Sequence, residues 1–333
     1  MPENHLNGPI TVGGVTVRPG RKIQFELPFA KVVTGATESL PVKVINGRAS
    51  GPHVWLSAAI HGDELNGIQI IRRVLRELDA KSLRGALIAV PIVNPLGFII
   101  QSRYLPDHRD LNRSFPGSAR GSAAARLAHL FMSEIVEQCS VGIDLHTASN
   151  HRINLPQLRA DLDNRHTLRL AHAFGAPFTI HARFRDGSLR QAAAERDKTV
   201  LLYEAGQANR FDDEAIDAGV NGVMRTLRQL RMIDARLPRA PATRLVRRTR
   251  WVRARRGGIV EIDVKLGDFV AQGDSVAHIS DAFGVRPTQV RAAEAGWVIA
   301  RSLRPLVNSG DALVHLAAQA GGPDRDEPAE RPR

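Results

Sequence analysis

The sequence predicts an α/β domain followed by a small all-β domain, and three observations lead to this prediction. Between residues 54 and 233, short apolar runs alternate with segments of helical period. From 236 to 256 the chain is rich in arginine and contains two prolines, and beyond 257 short apolar pieces alternate with Gly-Asp turns. Strand–helix alternation is typical of a layered domain with a largely parallel sheet, whereas short strands between turns are typical of sandwiches and barrels.

The strands of the α/β domain are predicted from short apolar runs that end at turn residues. Residues 1–50 are β-rich and irregular, with alternating pieces at Lys22–Leu27 and Leu40–Ile45. The buried strands that follow are Val54–Ile60, Ala86–Val93, Val141–Leu145, Phe178–His181 and Thr199–Tyr203.

Three segments carry apolar residues three or four positions apart, which is the period of a helix with one buried face. They are 65–78, Arg126–Gln138 and Asp212–Ile233. Pro238 and Pro241 cannot continue the last helix. We therefore expect the first domain to cover 1–235 and an arginine-rich junction to cover 236–256.

The chain beyond 257 contains a weak internal repeat. Gly258-Ile-Val is followed by the turn Gly273-Asp274, and Gly296-Trp-Val is followed by the turn Gly310-Asp311. Two matching β units indicate a small β-sandwich or barrel, which we place at 257–318. Residues 319–333 are rich in proline, glycine and mixed charge, and we expect them to form a disordered tail.

The composition excludes several classes of protein. With 333 residues, of which 43 % are hydrophobic and 24 % charged, the chain has enough apolar surface for a packed core. Its single cysteine, Cys139, excludes an intramolecular disulfide and a multi-cysteine metal site. No apolar run is long enough for a transmembrane helix and no secretory signal is visible, so we expect a cytoplasmic protein without a membrane partner.

The net charge of +12 at first suggests a nucleic-acid partner. However, nine of the arginines lie between 236 and 256, so the basicity is mostly local. Aromatic residues make up only 5 % of the chain, and no Cys/His finger is visible. Because aromatic platforms for stacking bases are scarce, we expect no nucleic-acid partner.

Two predicted strands end in residues that suit a metal ion. His61-Gly62-Asp63-Glu64 follows the strand Val54–Ile60, and Asp144-Leu145-His146 closes the strand Val141–Leu145. Side chains at the carboxyl ends of strands in an open α/β sheet converge on one site. Two histidines and one glutamate form a catalytic zinc set with an open position. The alternative is a charged helix start near surface histidines.

Two further segments bring charge to the same sheet edge. Residues 103–117 (RYLPDHRDLNRSFPG) follow the Asn94-Pro95 turn and contain three arginines, which suit either carboxylate recognition or ordinary salt bridges. Glu204 ends the strand Thr199–Tyr203, where a carboxylate needs a partner or a function. Beside a metal-activated water it would act as a general base. Asn154 follows His146 closely enough to be a candidate pocket residue or an ordinary surface residue.

Together these segments resemble the succinylglutamate desuccinylase/aspartoacylase family, a branch of the zinc carboxypeptidase-like hydrolases. The resemblance covers roughly residues 40–235. It is carried, in order, by HGDE (61–64), NPLGF (94–98), R-x6-DLNRSFPG (103–117), DLH (144–146) and YEAG (203–206). It implies a carboxypeptidase-like mixed sheet flanked by helices.

The resemblance also implies roles for individual residues. One zinc ion per chain would be held by His61, Glu64 and His146. Arg103 would polarise the scissile carbonyl, and Glu204 would be the general base and later the acid. The substrate carboxylate would be bound by Asn112 and Arg113, with Arg109 as a further candidate. The arginine that reads a side-chain carboxylate in aspartoacylase has no matching motif, so aspartate or glutamate specificity is not implied.

The predicted function is therefore zinc-dependent hydrolysis of an N-acyl amino acid or a related small amide that carries a carboxylate. A carboxypeptidase-like peptidase or deglutamylase acting on peptides is the alternative, because it needs the same groups. The C-terminal domain resembles a biotinyl/lipoyl-like β domain, but its 281–296 stretch has no lysine for a swinging arm. Two roles stay open for that domain: covering the active-site mouth, or making subunit contacts in a homo-oligomer.

Overall fold

The structure is a computed structural model that describes residues 6–31, 35–149 and 151–319. The chain divides into two units, Met1–Leu245 and Val246–Arg333. This boundary falls inside the junction that we predicted at 236–256. The predicted tail, 319–333, lies outside the described residues except for Gln319. Within the part of the chain that the structure describes, no helix is both long and apolar enough to cross a membrane.

The first unit is built from ten strands and six helices in the residues that the structure describes. Its strands are β1 (Ile10–Val12), β2 (Val15–Val17), β3 (Arg21–Lys31), β4 (Thr37–Asn46), β5 (Ala49–Ala58), β6 (Arg84–Val90), β7 (Val141–Ala148), β8 (Arg152–Ala160), β9 (Phe178–His181) and β10 (Thr199–Gln207). Its helices are α1 (Asn66–Glu77), α2 (Pro95–Ile99), α3 (Ala123–Phe131), α4 (Arg165–Phe174), α5 (Leu189–Ala194) and α6 (Asp213–Gln229).

The central sheet is mixed, and its middle is parallel. The strand order is β9-β8-β10-β7-β5-β6-β4-β3. Strands β10, β7, β5 and β6 run parallel to one another, whereas β8 pairs antiparallel with β10, and β4 pairs antiparallel with β6 and β3. The prediction of a mixed α/β sheet is confirmed. The parallel centre brings the carboxyl ends of β5, β7 and β10 to one edge.

Both faces of the central strands are buried, which explains why these strands read as continuous apolar runs. Along β5, Val54 and Leu56 pack into the core beneath α1, α4 and α6. Trp55, which points to the opposite face, packs into the core beneath α3 and α5. The period of two residues along each strand therefore supplies two separate cores.

The structure differs from the predicted elements in five places. The helix predicted at Arg126–Gln138 is α3, which continues into a π-helical segment at Met132–Val136. Strand β8 and the helices α2, α4 and α5 were not predicted. In β8 the run is interrupted by Pro156, and proline argues against a strand because it has no N–H to donate.

The second unit is all-β, as predicted. Strand β11 (Arg244–Val246) lies at the unit boundary, and the strands that follow are β12 (Thr249–Arg253), β13 (Gly258–Ile262), β14 (Phe269–Val270), β15 (Ser275–Ser280), β16 (Thr288–Arg291), β17 (Gly296–Ser302), β18 (Leu306–Val307) and β19 (Ala312–Ala318). One sheet has the order β16-β15-β13-β18, and the other strands of this unit pair in the order β12-β19-β17-β14. Each half of the repeat thus contributes one short strand to the sheet of the other half: β14 pairs with β17, and β18 pairs with β13. The likeness to a biotinyl/lipoyl-like domain stays a prediction.

Candidate active site

The HGDE segment turns sharply between β5 and α1. The backbone N–H of Glu64 donates to the carbonyl of His61 (3.1 Å), and α1 begins two residues later, at Asn66. Gly62 lies directly against the backbone of α2, where a Cβ atom would overlap Gly97 and Phe98. Only glycine allows this close approach, which directs His61 and Glu64 toward the end of β7.

His61, Glu64 and His146 meet in a buried group. The Nδ1 atom of His61 is 2.7 Å from Glu64 Oε1, and the Nδ1 atom of His146 is 2.7 Å from Glu64 Oε2. One possible ligand atom from each residue lies within 4.8 Å of the others. The sequence placed these three residues at one site, and the structure brings them together.

An outer pair of carboxylates contacts the far side of both imidazole rings. Asp144 Oδ2 lies 2.7 Å from His146 Nε2, and Asp110 Oδ1 lies 3.3 Å from His61 Nε2. Asp144 is held in turn by the Ser57 hydroxyl, which donates to its Oδ1 (2.7 Å). These contacts fix the orientation of each ring and leave both Nδ1 atoms facing Glu64.

The charges of this group shift the pKa values of its own side chains strongly. Burial raises the pKa of Glu64, but the two histidines outweigh this effect and hold the pKa well below its usual range. Burial lowers the pKa of His146, but Asp144 and Glu64 raise it well above its usual value. Burial also raises the pKa of the Asp110 carboxyl, but His61 and Arg103 outweigh this effect and hold the pKa below its usual range. The pocket therefore stabilises positive charge at its centre.

These residues fit a divalent metal ion. Metal-ligating histidines almost always present their second ring nitrogen to a carboxylate, a carbonyl or a water, and both histidines here do so. Imidazole nitrogen and carboxylate oxygen are ligands that zinc prefers, and three protein ligands leave a position for water or substrate. A cation in this place would lie between the two Nδ1 atoms and the Glu64 carboxylate.

Arg103 lies beside the candidate metal ligands. Its Nε and Nη2 atoms both donate to Asp110 Oδ2 (3.1 and 2.8 Å), and its Nη1 atom donates to Ser149 Oγ (3.2 Å). The same Nη1 atom is 3.7 Å from Glu64 Oε1. Arg109, in contrast, is 63 % exposed and pairs with Asp107. The structure thus brings Arg103, and not Arg109, to the buried group.

Asn112 and Arg113 lie on a short 3-10 turn after Asp110. Asp110 Oδ1 accepts the backbone N–H of Asn112 (2.8 Å), and Asn112 Oδ1 accepts the N–H of Leu189 (3.0 Å). Arg113 is exposed and donates from Nη1 to the carbonyl of Asn112 (2.5 Å). Because Asp110 also contacts His61 and Arg103, one carboxylate ties this turn to the candidate metal group.

Glu204 lies next to His146 on the neighbouring strand. The two residues are direct partners in the parallel register of β10 and β7, so both side chains point to the same face of the sheet. Asn154 Nδ2 donates to Glu204 Oε2 (2.8 Å), and Arg159 Nε lies 3.1 Å from Glu204 Oε1. The Glu204 side chain is 19 % exposed.

Sequence reasoning gave no role to Asp110, Asp144 or Arg159. Asp144 had a detectable signal, because it stands two residues before His146 on a strand and must share its face. Asp110 lies in a loop, so its contacts with His61 and Arg103 depend on tertiary structure. Arg159 was hidden because its strand was not predicted.

Comparison with known proteins identifies the relatives of this chain. Residues 50–230 match the succinylglutamate desuccinylase/aspartoacylase catalytic domain. The N-alpha-acetyl-L-2,4-diaminobutyric acid deacetylase of Halomonas elongata is 30 % identical over 292 residues, which cover 84 % of this chain and 85 % of that protein. A succinylglutamate desuccinylase of Pseudomonas aeruginosa is 31 % identical over 140 residues, covering 39 % of this chain and 41 % of the relative.

Solved structures share the architecture over nearly the whole chain. The ectoine utilization protein EutE (DoeB) of Ruegeria pomeroyi, in a product-bound structure, has a TM-score of 0.82 at 25 % identity and covers 94 % of this chain and 100 % of that chain. A succinylglutamate desuccinylase/aspartoacylase of Rhodobacter sphaeroides has a TM-score of 0.81 at 26 % identity, covering 92 % and 98 %.

These relatives, with the fold and the candidate site, place the chain in the class of hydrolases that act on amide bonds. More specifically, the chain belongs to the succinylglutamate desuccinylase/aspartoacylase family.

Proposed function

We propose that this protein is a zinc-dependent amidohydrolase that cleaves the amide bond of a small N-acyl amino acid bearing a free carboxylate. The observation that carries the proposal is the buried group of His61, Glu64 and His146, with Arg103 beside it and Glu204 on the next strand. Metal ligands, a cation and a carboxylate base are the groups that amide hydrolysis requires.

His61, Glu64 and His146 would hold one zinc ion. When bound, zinc supplies Lewis-acid polarisation of a carbonyl and lowers the pKa of a coordinated water. Arg103 is held by Asp110 through Nε and Nη2. We assign its guanidinium to the negative charge that develops on the carbonyl oxygen during attack, an interaction that is usually among the largest contributions to catalysis.

Glu204 is the proposed general base and later the general acid. Its carboxylate takes a proton from the attacking water and gives it to the leaving amine nitrogen. Groups in this role typically contribute about 10²–10⁴-fold to the rate. Asn112 and Arg113 are proposed to bind the substrate carboxylate, since the guanidinium fork and the amide suit that ligand. Arg109, exposed beside Asp107, is proposed only as an outer contact for arriving anions.

The relatives suggest the first substrates to test. One relative is named as a deacetylase of N-alpha-acetyl-L-2,4-diaminobutyric acid and others as succinylglutamate desuccinylases. We therefore propose an N-acetyl or N-succinyl amino acid as the substrate class, and the cytoplasm as the compartment.

The test is a turnover screen of the zinc-loaded protein on N-acetyl-diaminobutyrate, N-succinylglutamate, N-acetylaspartate and short peptides, with Glu204→Gln as the blank. We expect hydrolysis of an acyl amino acid by the wild type and loss of most turnover in Glu204→Gln, which should still bind zinc. Preference for peptides would favour the peptidase alternative. A fully active Glu204→Gln variant would remove Glu204 from the mechanism.

A further inference from the structure

We propose that Arg159 and Asn154 form a clamp on Glu204, and that this clamp positions the general base for proton transfer. The inference rests on the role proposed for Glu204. The clamp contacts both oxygens of the carboxylate: Arg159 Nε is 3.1 Å from Oε1, and Asn154 Nδ2 donates to Oε2 at 2.8 Å. We call these two residues the Glu204 clamp.

The backbone brings both clamp residues to the face of the sheet that carries Glu204. In the antiparallel register of β8 and β10, Gln157 lies opposite Glu204 and Arg159 lies opposite Leu202. Because Arg159 stands two residues beyond Gln157, its side chain points to the same face as Glu204. The other clamp residue, Asn154, stands three residues before Gln157 and would point to the opposite face in a regular strand.

An irregularity in β8 corrects this orientation. Between the pairs Glu204↔Gln157 and Gly206↔Asn154, β8 contains one more residue than β10. Pro156, which cannot donate a ladder hydrogen bond, falls inside this interval. An extra residue in one strand shifts the alternation by one position and redirects the next side chain, an arrangement that is frequent next to active sites. The bulge therefore allows Asn154 to reach Glu204.

The contacts of the clamp restrict the orientation of the carboxylate and leave lone pairs on both oxygens available to accept a proton. Each carboxylate oxygen has two lone pairs, so one partner on each oxygen still leaves acceptor positions for a water proton. A hydrogen bond to one oxygen and an ion pair at the other restrict rotation of the carboxylate. A misplacement of about 1 Å at a reacting group can cost about 10²-fold in rate.

Neighbouring arginine Arg190 does not share this task. Its Nη1 and Nη2 atoms donate to the backbone carbonyls of Ala182 (2.8 Å) and Arg183 (2.7 Å). Those two bonds direct Nη1 and Nη2 to the loop before α5. The removal of Arg159 would therefore remove the direct contact of a guanidinium with Glu204 Oε1.

The first experiment measures kcat, KM and zinc content in Arg159→Leu, Asn154→Ala and Arg159→Lys. We expect kcat to fall about tenfold or more in the first two variants, while KM changes by less than about threefold and zinc stays at one per chain. Arg159→Lys should recover part of the loss, because an ammonium group keeps the charge but not the planar fork.

Arg196→Leu is the matched control. Arg196 Nε forms an ion pair with Glu137 Oε1 (2.7 Å), and neither residue contacts any of the proposed catalytic or binding groups in the contacts described. It should leave kcat and KM unchanged. If Arg159→Leu fails to fold in thermal melts, Asn154→Ala and Arg159→Gln carry the same test.

A second experiment separates positioning from substrate binding. In the Glu204→Gln background, calorimetric titration with the substrate identified by the screen should give the same Kd with and without Arg159→Leu, and Arg159→Leu should not lower the residual turnover further. A raised Kd or KM with unchanged kcat would overturn the clamp and make Arg159 a substrate contact. An active Glu204→Gln enzyme would instead overturn the proposed base, so the two failures are distinguishable.

Discussion

Glu64 is the residue that joins the two candidate ligand histidines, because each of its oxygens lies 2.7 Å from one imidazole Nδ1 atom. A glutamine at this position would keep the size but present an amide N–H to a ring and remove the negative charge. The buried group would then lose the charge that stabilises a cation.

We therefore predict that Glu64→Gln loses tight zinc binding. The expected loss in zinc affinity exceeds the approximately 10–100-fold that removal of an outer partner costs. Metal analysis after dialysis and competition with a chromogenic chelator measure it. Glu77→Gln, at an exposed position of α1, is the control and should retain one zinc per chain. Zinc binding by Glu64→Gln equal to that of the wild type would refute the ligand assignment.

Asp144 provides a graded version of the same test. It contacts His146 Nε2 at 2.7 Å and accepts a hydrogen bond from Ser57. Asp144→Asn keeps the shape but removes the charge, so we predict a 10–100-fold weaker zinc affinity in a folded protein, as is typical for outer carboxylates. The same chelator competition measures the change in zinc affinity. If Asp144→Asn weakened zinc binding more than Glu64→Gln, the assignment of Glu64 as a ligand and of Asp144 as an outer partner would be wrong.

The candidate site was predictable from the sequence where its residues share a short segment. HGDE and DLH each carry their ligands within four residues, and strand ends converge by a general rule of α/β sheets. Arg103 and Asp110 meet the ligands only through loop packing, which no local pattern encodes. The Glu204 clamp was missed for a different reason, because Pro156 interrupts the strand that carries it.

At the scale of elements, the pairing of β5 with β7 determines the separation of the proposed ligands. Gly142 of β7 lies opposite Trp55 of β5, and a Cβ atom on Gly142 would overlap the indole ring. Trp55 is fully buried, so the ring cannot move aside into solvent. The close approach of these two strands therefore depends on glycine at this position.

We predict that Gly142→Ala destabilises the first unit by about 1–3 kcal/mol, the usual cost of overpacking a core. Urea denaturation followed by tryptophan fluorescence measures the change. Gly8→Ala is the matched control, since a Cβ atom there would meet nothing within 4 Å. Equal stability of the two variants would contradict the packing described for Trp55.

The helices show why element prediction succeeded unevenly. Helix α1 carries Ile70, Ile71 and Val74 on one face, so its period is clear. Helix α4 buries Leu170 and Phe174, but histidine and arginine dilute its pattern. Helix α5 spans only six residues, which is too short for a periodic signal.

At the scale of the whole molecule, bound metal should couple to stability. A ligand that binds only the folded state raises the free energy of unfolding by about 4 kcal/mol when its concentration is about 1,000 times its Kd. The proposed ligands come from the loop after β5 and from β7, so they exist as a set only in the folded first unit.

We predict that chelation lowers the Tm of the wild type by several degrees and that added zinc restores it. Differential scanning calorimetry measures this shift. The Glu64→Gln variant serves as the reference, because its Tm should respond to neither chelator nor zinc. An unchanged Tm in the chelated wild type would argue against a structural contribution from the metal.

The boundary between the two units lies inside the arginine-rich stretch 236–256, while the domain bounds drawn from composition stay predictions. The internal repeat predicted two β units, but the exchange of the short strands β14 and β18 between sheets was not visible. That exchange depends on which sheet edge each short strand pairs with. The sheet edges form only in the folded unit, so no local sequence pattern encodes the pairing.

The strand exchange in the second unit has a consequence for synthesis and for protein engineering. Strand β13 pairs with β18, and β14 pairs with β17, so neither half has a complete sheet of its own. During translation this unit must wait for its last strands to leave the ribosome before it can close. A nick in the exposed loop at Phe283 would then yield two fragments in which the second unit acquires its structure only when they are mixed, which makes this loop a natural point for splitting that unit into a complementation pair.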